Sequence, residues 1–337
     1  MRLATYNVEW FASLFDDDDR LRNDGGWSGR YNVTRAQQIK ALGQVFTALD
    51  ADAVMVVEAP DSGRRHSSVR ALEHFAGMFE LRTSRAVSGF ANNTQQEITL
   101  LYDPVALRAR HDPQGAETGK KGSRDAPRFD GVFRIDLDVD ATEDLVRFSK
   151  PPLELALRTS SGTELRMIGA HLKSKAPHGA RNRDEVMRIS IANRRKQLAQ
   201  AVWLRARIEV HEAQGDHLII MGDLNDGPGL DEYEHLFGRS TVEIILGDSL
   251  FDPHARQTLS RPFGAALSTA RFERRKSGKF LQALLDYIMI SEGLRARGPE
   301  WRIWHPFDDS ECWSRVDLRE ALLTASDHFP VTLDIDI

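Results

Sequence analysis

Eight polar residues stand where apolar runs end or turn. Asn7 closes "LATYN", Glu58 closes "AVMVVE", His171 closes "RMIGAH", and Asp223 and Asn225 follow "HLIIMG". Asp286 sits inside "LLDYIMIS", and "SDH" at 326–328 places Asp327 and His328 just before the last apolar run. Carboxylate and amide oxygens are ligands for hard cations, while imidazoles and carboxylates carry protons. Polar groups at the edges of sheets, drawn from the whole length of a chain, share a reason to be there if they line one cleft.

Each residue taken singly also has a structural reading. Asn7 could cap a strand end, Glu58 could be a helix-start carboxylate, Asp286 a buried hydrogen bonder, and "SDH" a turn. The stretch "MGDLNDGPG" at 221–229 is rich in turn chemistry. It is not a calcium hand. Such a loop needs acidic or amide ligands at its first, third and fifth positions and glycine at the sixth, but from Asp223 those places hold Asp223, Asn225, Gly227 and Pro228. Asp226 reads as a cap or a solvent-facing residue.

Strand-like runs recur from end to end: "LATYNVEW", "AVMVVE", "EITLLYD", "VFRIDLDV", "LELALRT", "LRMIGAHL", "HLIIMGD", "LLDYIMIS" and "FPVTLDIDI". Helical periodicity predicts helices over 34–49, 67–79 and about 182–212, the last with Ile189, Ala192, Lys196, Ala199 and Trp203 on one stripe. No linker rich in Pro, Gly or Ser divides the chain, and no internal repeat is visible. The expectation is one layered α/β domain over residues 1–337 with large sheets. Segments 16–32 and 111–130 read as long loops, which in compact domains commonly carry function.

The chain has 337 residues, 41% hydrophobic and 28% charged, with a net charge of −5. That balance fits a soluble globular protein and argues against a nonspecific nucleic-acid coat, though not against an enzyme touching a few phosphates. A single cysteine, Cys312, leaves no intrachain disulfide and no cysteine-rich zinc site. The start "MRLATYNVEWF" reads as a strand, and no run approaches a membrane span, so the expectation is an unexported, cytoplasmic protein without a membrane anchor. His66, His178, His254 and His305 read as surface or packing residues.

The motifs "TYNVEW", "VVEAPD", "GAHLKS", "GDLND", "LDYIMIS" and "SDHFPV", in that order, resemble the endonuclease/exonuclease/phosphatase superfamily, the group of deoxyribonuclease-I-like enzymes. The resemblance spans residues 3–335. It implies a four-layer α/β sandwich, with two mixed β-sheets packed face to face and flanked by helices, and metal-dependent hydrolysis of a phosphate ester. On that resemblance Asn7, Glu58 and Asp327 would ligate Mg²⁺ or Mn²⁺, with one divalent ion or two. Asp223 would position or deprotonate the attacking water, Asn225 would orient water or phosphate, and His328, paired to Asp286, would donate to the phosphate. A Glu97–His171 dyad would serve as general acid, and Lys150 in "FSKPPLEL" would offer a point charge to the phosphate.

Departures from the family narrow the substrate. Inositol 5-phosphatases would want an aromatic-Cys-Asp-Arg stretch where this chain has "ALLDYIMI", and an arginine where it has Gly227. Abasic endonucleases would want a tyrosine where the strand ends in His171. A deoxyribonuclease-like phosphodiesterase acting on nucleic acid is the reading that results. A small-molecule or lipid phosphodiesterase or phosphatase is the runner-up, and a noncatalytic binding module the contrast. The cation-rich stretch 172–196 beside His171 would suit a polyanion.

Overall fold

The computed structural model describes residues 1–136, 143–227, 238–260, 267–274 and 278–337. Its strands are β1 (Arg2–Asn7), β2 (Ala53–Ala59), β3 (Arg85–Ser88), β4 (Glu97–Tyr102), β5 (Leu107–His111), β6 (Phe133–Ile135), β7 (Asp144–Val146), β8 (Leu153–Thr159), β9 (Glu164–His171), β10 (Leu218–Asp223), β11 (Leu250–Phe251), β12 (Ala270–Arg274), β13 (Lys279–Ala283), β14 (Asp286–Ser291), β15 (Glu300–Ile303) and β16 (Val331–Asp334). Its helices are α1 (Arg35–Leu49), α2 (Ser68–Met78), α3 (Arg183–Gln214), α4 (Thr241–Leu246), α5 (Pro253–Ser260), α6 (Glu292–Arg295), α7 (Ser310–Ser314) and α8 (Val316–Ala325).

Two six-stranded mixed sheets form, in the orders β15-β16-β1-β2-β4-β3 and β11-β14-β10-β9-β8-β5. Alternation along each strand sorts the side chains into layers. Leu3, Met55, Ile98, Leu100, Val331 and Leu333 of the first sheet meet Leu155, Met167, Ile219, Met221, Ile288 and Ile290 of the second in a central core. The opposite face of the first sheet, with Ala4, Tyr6, Val54 and Val56, is covered by α1, α2 and α8 through Ile39, Val45, Phe46, Leu72, Phe75 and Leu322. Ile168, Ala170, Leu218, Ile220 and Met289 pack outward on α3 and α4 through Trp203, Leu204, Ile208, Val242 and Ile245. The result is helix, sheet, sheet, helix: the expected α/β sandwich. Gly169 lets the sheets approach, since a Cβ there would lie 2.5 Å from Met55 Sδ.

The helices begin where the sequence supplies caps. Thr34 forms a capping box with Gln37 at the start of α1, and the Ser67 side chain accepts from the Arg70 amide on α2. The stripe expected on α3 is only half right. Ala199 and Trp203 are buried, but Ile189 is half-buried and Ala192 exposed. The helix overhangs the second sheet at its N-terminal end, so its packed face there is polar, with Arg194 and Gln197 buried. The run "VFRIDLDV" forms a strand only over Phe133–Ile135, and its residues 137–139 lie outside the described part, as do Pro228 and Gly229 of the 221–229 stretch. Segments 16–32 and 112–130 cross the surface without regular elements.

Candidate active site

The same alternation that builds the central core delivers polar groups to one end of it. Asn7 shares the inward parity of Leu3. His171 follows Met167 and Gly169, Asp223 follows Ile219 and Met221, and Asp286 precedes Ile288 and Ile290. Sheet register aligns three of them side by side, since Asp223 pairs with both Asp286 of β14 and His171 of β9. Across the sandwich, the Asn7 amide donates to Asp223 Oδ2 at 3.0 Å and ties the first sheet to this row.

Glu58 reaches the site by a different route. Plain alternation would send it outward with Val54 and Val56. A register shift between Val57 and Ala59 against β4 instead makes Glu58 the extra residue of a bulge, with φ of 57°. Bulges of this kind re-aim side chains, and a left-handed backbone on a glutamate is held only where the surroundings enforce it. Asn225, with φ of 52°, is a second such residue. Its backbone amide donates to Asp223 Oδ1 at 2.7 Å and its side-chain amide to Leu172 O at 3.1 Å, so the turn after β10 grips Asp223 from behind.

His328 enters from the loop before β16. Its Nδ1 lies 2.8 Å from Asp286 Oδ2, which also accepts from Thr269 Oγ1 at 2.7 Å. Ser326 Oγ accepts the His328 amide and donates to Asn7 O, fixing the loop to β1. Lys150 Nζ stands 3.0 Å from His171 Nε2, and His171 Nε2 is 3.7 Å from Asp223 Oδ2.

The electrostatics follow from burial. Burial, then Asp286, raises the Asp223 carboxyl to about 7, relieved by His328 and the Asn225 and Asn7 amides. Burial alone would lower His328, but Asp286, Asp223 and Asp327 outweigh it and hold the ring's pKa well above the usual histidine range. Burial lowers Lys150 to about 8 against the pull of Glu58 and Asp223, and burial with Lys150 and His328 nearby keeps His171 neutral. Burial raises Glu58, with Asp327 adding to it and the Trp10 amide and Lys150 opposing.

Two donor groups could accept a cation. The ligand atoms of Asp223, Asp286 and His328 lie within 4.8 Å of one another. Beside them Glu58, Asp327 and Glu9 repel one another, and Glu9 is raised to about 7 by burial and then Asp327. Asn7 Oδ1 and Asp286 Oδ1 are buried and lack a hydrogen-bond partner. Buried carboxylates and an orphaned amide oxygen are donors of the kind a hard divalent ion takes. Among the described residues the first group is the one whose ligand atoms converge, but its histidine, held protonated by Asp286, is not a ligand in that state.

One expected pair does not form. Glu97 shares the parity of Thr99 and Leu101, which face α2, so it lies on the opposite side of the first sheet from the face that His171 meets. Its carboxylate accepts instead from Asn92 Nδ2 at 2.8 Å, and Lys150 takes the place beside His171. A second correction concerns Asp226, which is not solvent-facing. It is fully buried, pairs with Arg194 at 2.9 Å and Lys175 at 2.8 Å, and accepts from the Thr241 amide at the start of α4. Among the packing histidines, His66 meets Asp19 and His305 meets Ser268.

Sequence reasoning missed Glu9 and Thr269. Glu9 lies two residues beyond Asn7 in "NVEW", at the spacing that returns to the same face, whereas Thr269 carries no signal of its own in the sequence.

A mixed-sheet α/β sandwich with carboxylates, amides and histidines converging at the strand ends defines a class of phosphate-ester hydrolase. The chain belongs to the endonuclease/exonuclease/phosphatase family, whose sequence profile matches residues 4–328. Among solved structures, an AP endonuclease from Archaeoglobus fulgidus superposes with a TM-score of 0.52 at 12% identity, covering all of both chains. The 3′ phosphatase NExo from Neisseria, bound to a product DNA hairpin, gives 0.50 at 16% identity, again over all of both chains. Both likenesses are of fold. No curated protein sequence matches the chain. No described helix is long and apolar enough to cross a membrane.

Proposed function

We propose that this protein is a Mg²⁺- or Mn²⁺-dependent phosphodiesterase acting on nucleic acid, in the manner of a deoxyribonuclease-like endonuclease, with residues 1–337 forming one catalytic domain. The observation that carries the reading is the row Asp286–Asp223–His171 on three adjacent strands, bridged to Asn7 and faced by Glu58. A binding module has no need to hold a buried carboxylate near neutrality beside a charged histidine.

Glu58 and Asp327 with Asn7 Oδ1 would hold the ion. Bound there, it would polarise the phosphoryl group and stabilise the departing oxygen. Asp223 takes the proton of the attacking water. Its pKa near 7 matches that task, and Asn225 and Asn7 fix the carboxylate's direction. His328, oriented through Nδ1 by Asp286, donates from Nε2 to a nonbridging oxygen, where a charged donor is strongest. Lys150 places a second positive charge at the phosphate, and neutral His171, beside the Lys150 ammonium, passes a proton from Lys150 to the departing oxygen.

The runner-up is a small phosphodiester or lipid headgroup substrate of the same chemistry. A substrate panel in Mg²⁺ decides: plasmid DNA, RNA, bis(p-nitrophenyl) phosphate, p-nitrophenyl phosphate and sphingomyelin vesicles at matched salt. Cleavage of polynucleotide and diester, abolished by EDTA, is the expected result. Turnover of monoester or vesicle lipid alone would refute the nucleic-acid reading.

A further inference from the structure

Two aromatic side chains stand beside the polar centre, Trp10 exposed next to Glu58 and Phe272 half-buried next to His328. On one side is Trp10, whose amide donates to the Glu58 carboxylate. Its backbone is left-handed, with φ of 58°, unusual for so bulky a residue. Gly29, at the end of the long 16–32 loop region, packs against the root of the indole, where a Cβ would lie 2.3 Å from Trp10 Cβ and Cγ. The indole is thus backed by main chain and still 52% exposed.

On the other side is the ribbon of β12 and β13. It is joined to the catalytic loop by a bridge between Ala270 and His328 and by the Arg271 amide donating to Asp327 O at 2.7 Å. Register puts Phe272 opposite Leu281, and the Phe272 ring meets the His328 ring edge-on at 5.6 Å. Arg271, on the reverse face, stacks on Phe280 at 3.3 Å and stiffens the ribbon.

Cations run away from the same centre. Lys150, Lys173 and Lys196 are close enough for each to disfavour its neighbour's charge. Lys196 opens into a groove of about 460 Å³ that Arg147 also lines.

We infer that this site prefers single-stranded to duplex nucleic acid, with Trp10 and Phe272 stacking on unpaired bases beside the scissile phosphate and Lys150, Lys173 and Lys196 following the backbone. The inference rests on the nucleic-acid reading above. An exposed ring next to a phosphate site finds a partner only where a base presents a free face. In duplex those faces are covered by neighbouring pairs, whereas in a single strand the backbone can splay them out. Stacking platforms interleaved with cations are the means by which single strands are held without reading their sequence.

The test uses the full chain in Mg²⁺ and one labelled oligonucleotide, free or annealed to its complement, and reads the ratio of kcat/KM for the two. The wild type is expected to favour the single strand. Trp10→Ala and Phe272→Ala should each lower the ratio by roughly tenfold, the scale of one stacked base. Trp10→Phe, which keeps a ring, should restore most of it, and melting curves confirm that each variant is folded. A ratio near one in the wild type, or one that neither alanine variant moves, overturns the inference while leaving the hydrolytic reading standing. Hydrolysis of bis(p-nitrophenyl) phosphate with no cleavage of either strand form refutes the nucleic-acid reading and this inference with it. Vesicle binding lost in Trp10→Ala, with the strand ratio unchanged, would assign the aromatics to a lipid surface and also overturn it.

Discussion

Asp286→Asn removes a charge without removing a shape. Asp286 Oδ2 sits 2.8 Å from His328 Nδ1, and both side chains are buried. Unit charges about 4 Å apart at an effective dielectric of about 20 attract by about 4 kcal/mol. Asparagine can still accept from Thr269 and from the ring, so a loss of about 3 kcal/mol is expected. If His328 donates its charge to the phosphate in the transition state, that loss appears in kcat as roughly a hundredfold decrease. The assay is saturating Mg²⁺ and bis(p-nitrophenyl) phosphate, with the melting temperature as control and an NMR titration of the His328 ring as a second readout. The ring's pKa should fall, because burial would no longer be opposed by Asp286. A variant that keeps kcat within about threefold of wild type, with its ring titration shifted, would refute the role given to His328.

Further outcomes follow from the same geometry. The pH profile of kcat/KM should be narrow, rising through about 7 as Asp223 loses its proton and falling through about 8 as Lys150 loses its own. Lys150→Arg should carry the alkaline limb well above that. Glu97 ionises near 4.5 in the unfolded chain but about 7 when folded, because burial disfavours its charge. The unfolded state therefore releases the proton first, and this group costs stability as pH rises from about 4.5 to about 7, by up to about 3 kcal/mol. Glu97→Gln should accordingly raise the melting temperature at about pH 8.5 and not at about pH 4, with kcat retained; a large loss of kcat would restore Glu97 to the machinery. Arg194→Ala takes the buried partner from Asp226 and should cost about 3–5 kcal/mol in denaturant unfolding.

Most of the strands were legible because their apolar runs are long and bounded, and the polar residue at each strand end marked where the sandwich opens. Six motifs in one order named the fold before any register was known. What could not be read was orientation. "QQEITLLYD" does not say which of its two faces looks inward, so Glu97 and Ile98 were equally good candidates for the central layer until β4 paired with β2. Likewise the extra residue at Glu58 exists only relative to the partner strand. Asp226 looked like one more turn aspartate, and its burial depends on Arg194, thirty-two residues upstream on a helix whose apolar periodicity fades at that end. Glu9 and Thr269 become part of the site through Asp327 and Asp286, contacts between sequence-distant segments that no local pattern encodes.

Asp223 carries the central claim, because it accepts from Asn7 of the first sheet and from the Asn225 amide of its own turn. Asp223→Asn keeps the size of the side chain and removes the base. In Mg²⁺ the variant should remain folded and bind an oligonucleotide as the wild type does, with kcat for bis(p-nitrophenyl) phosphate lower by about a thousandfold or more. Turnover within about tenfold of wild type would contradict the account.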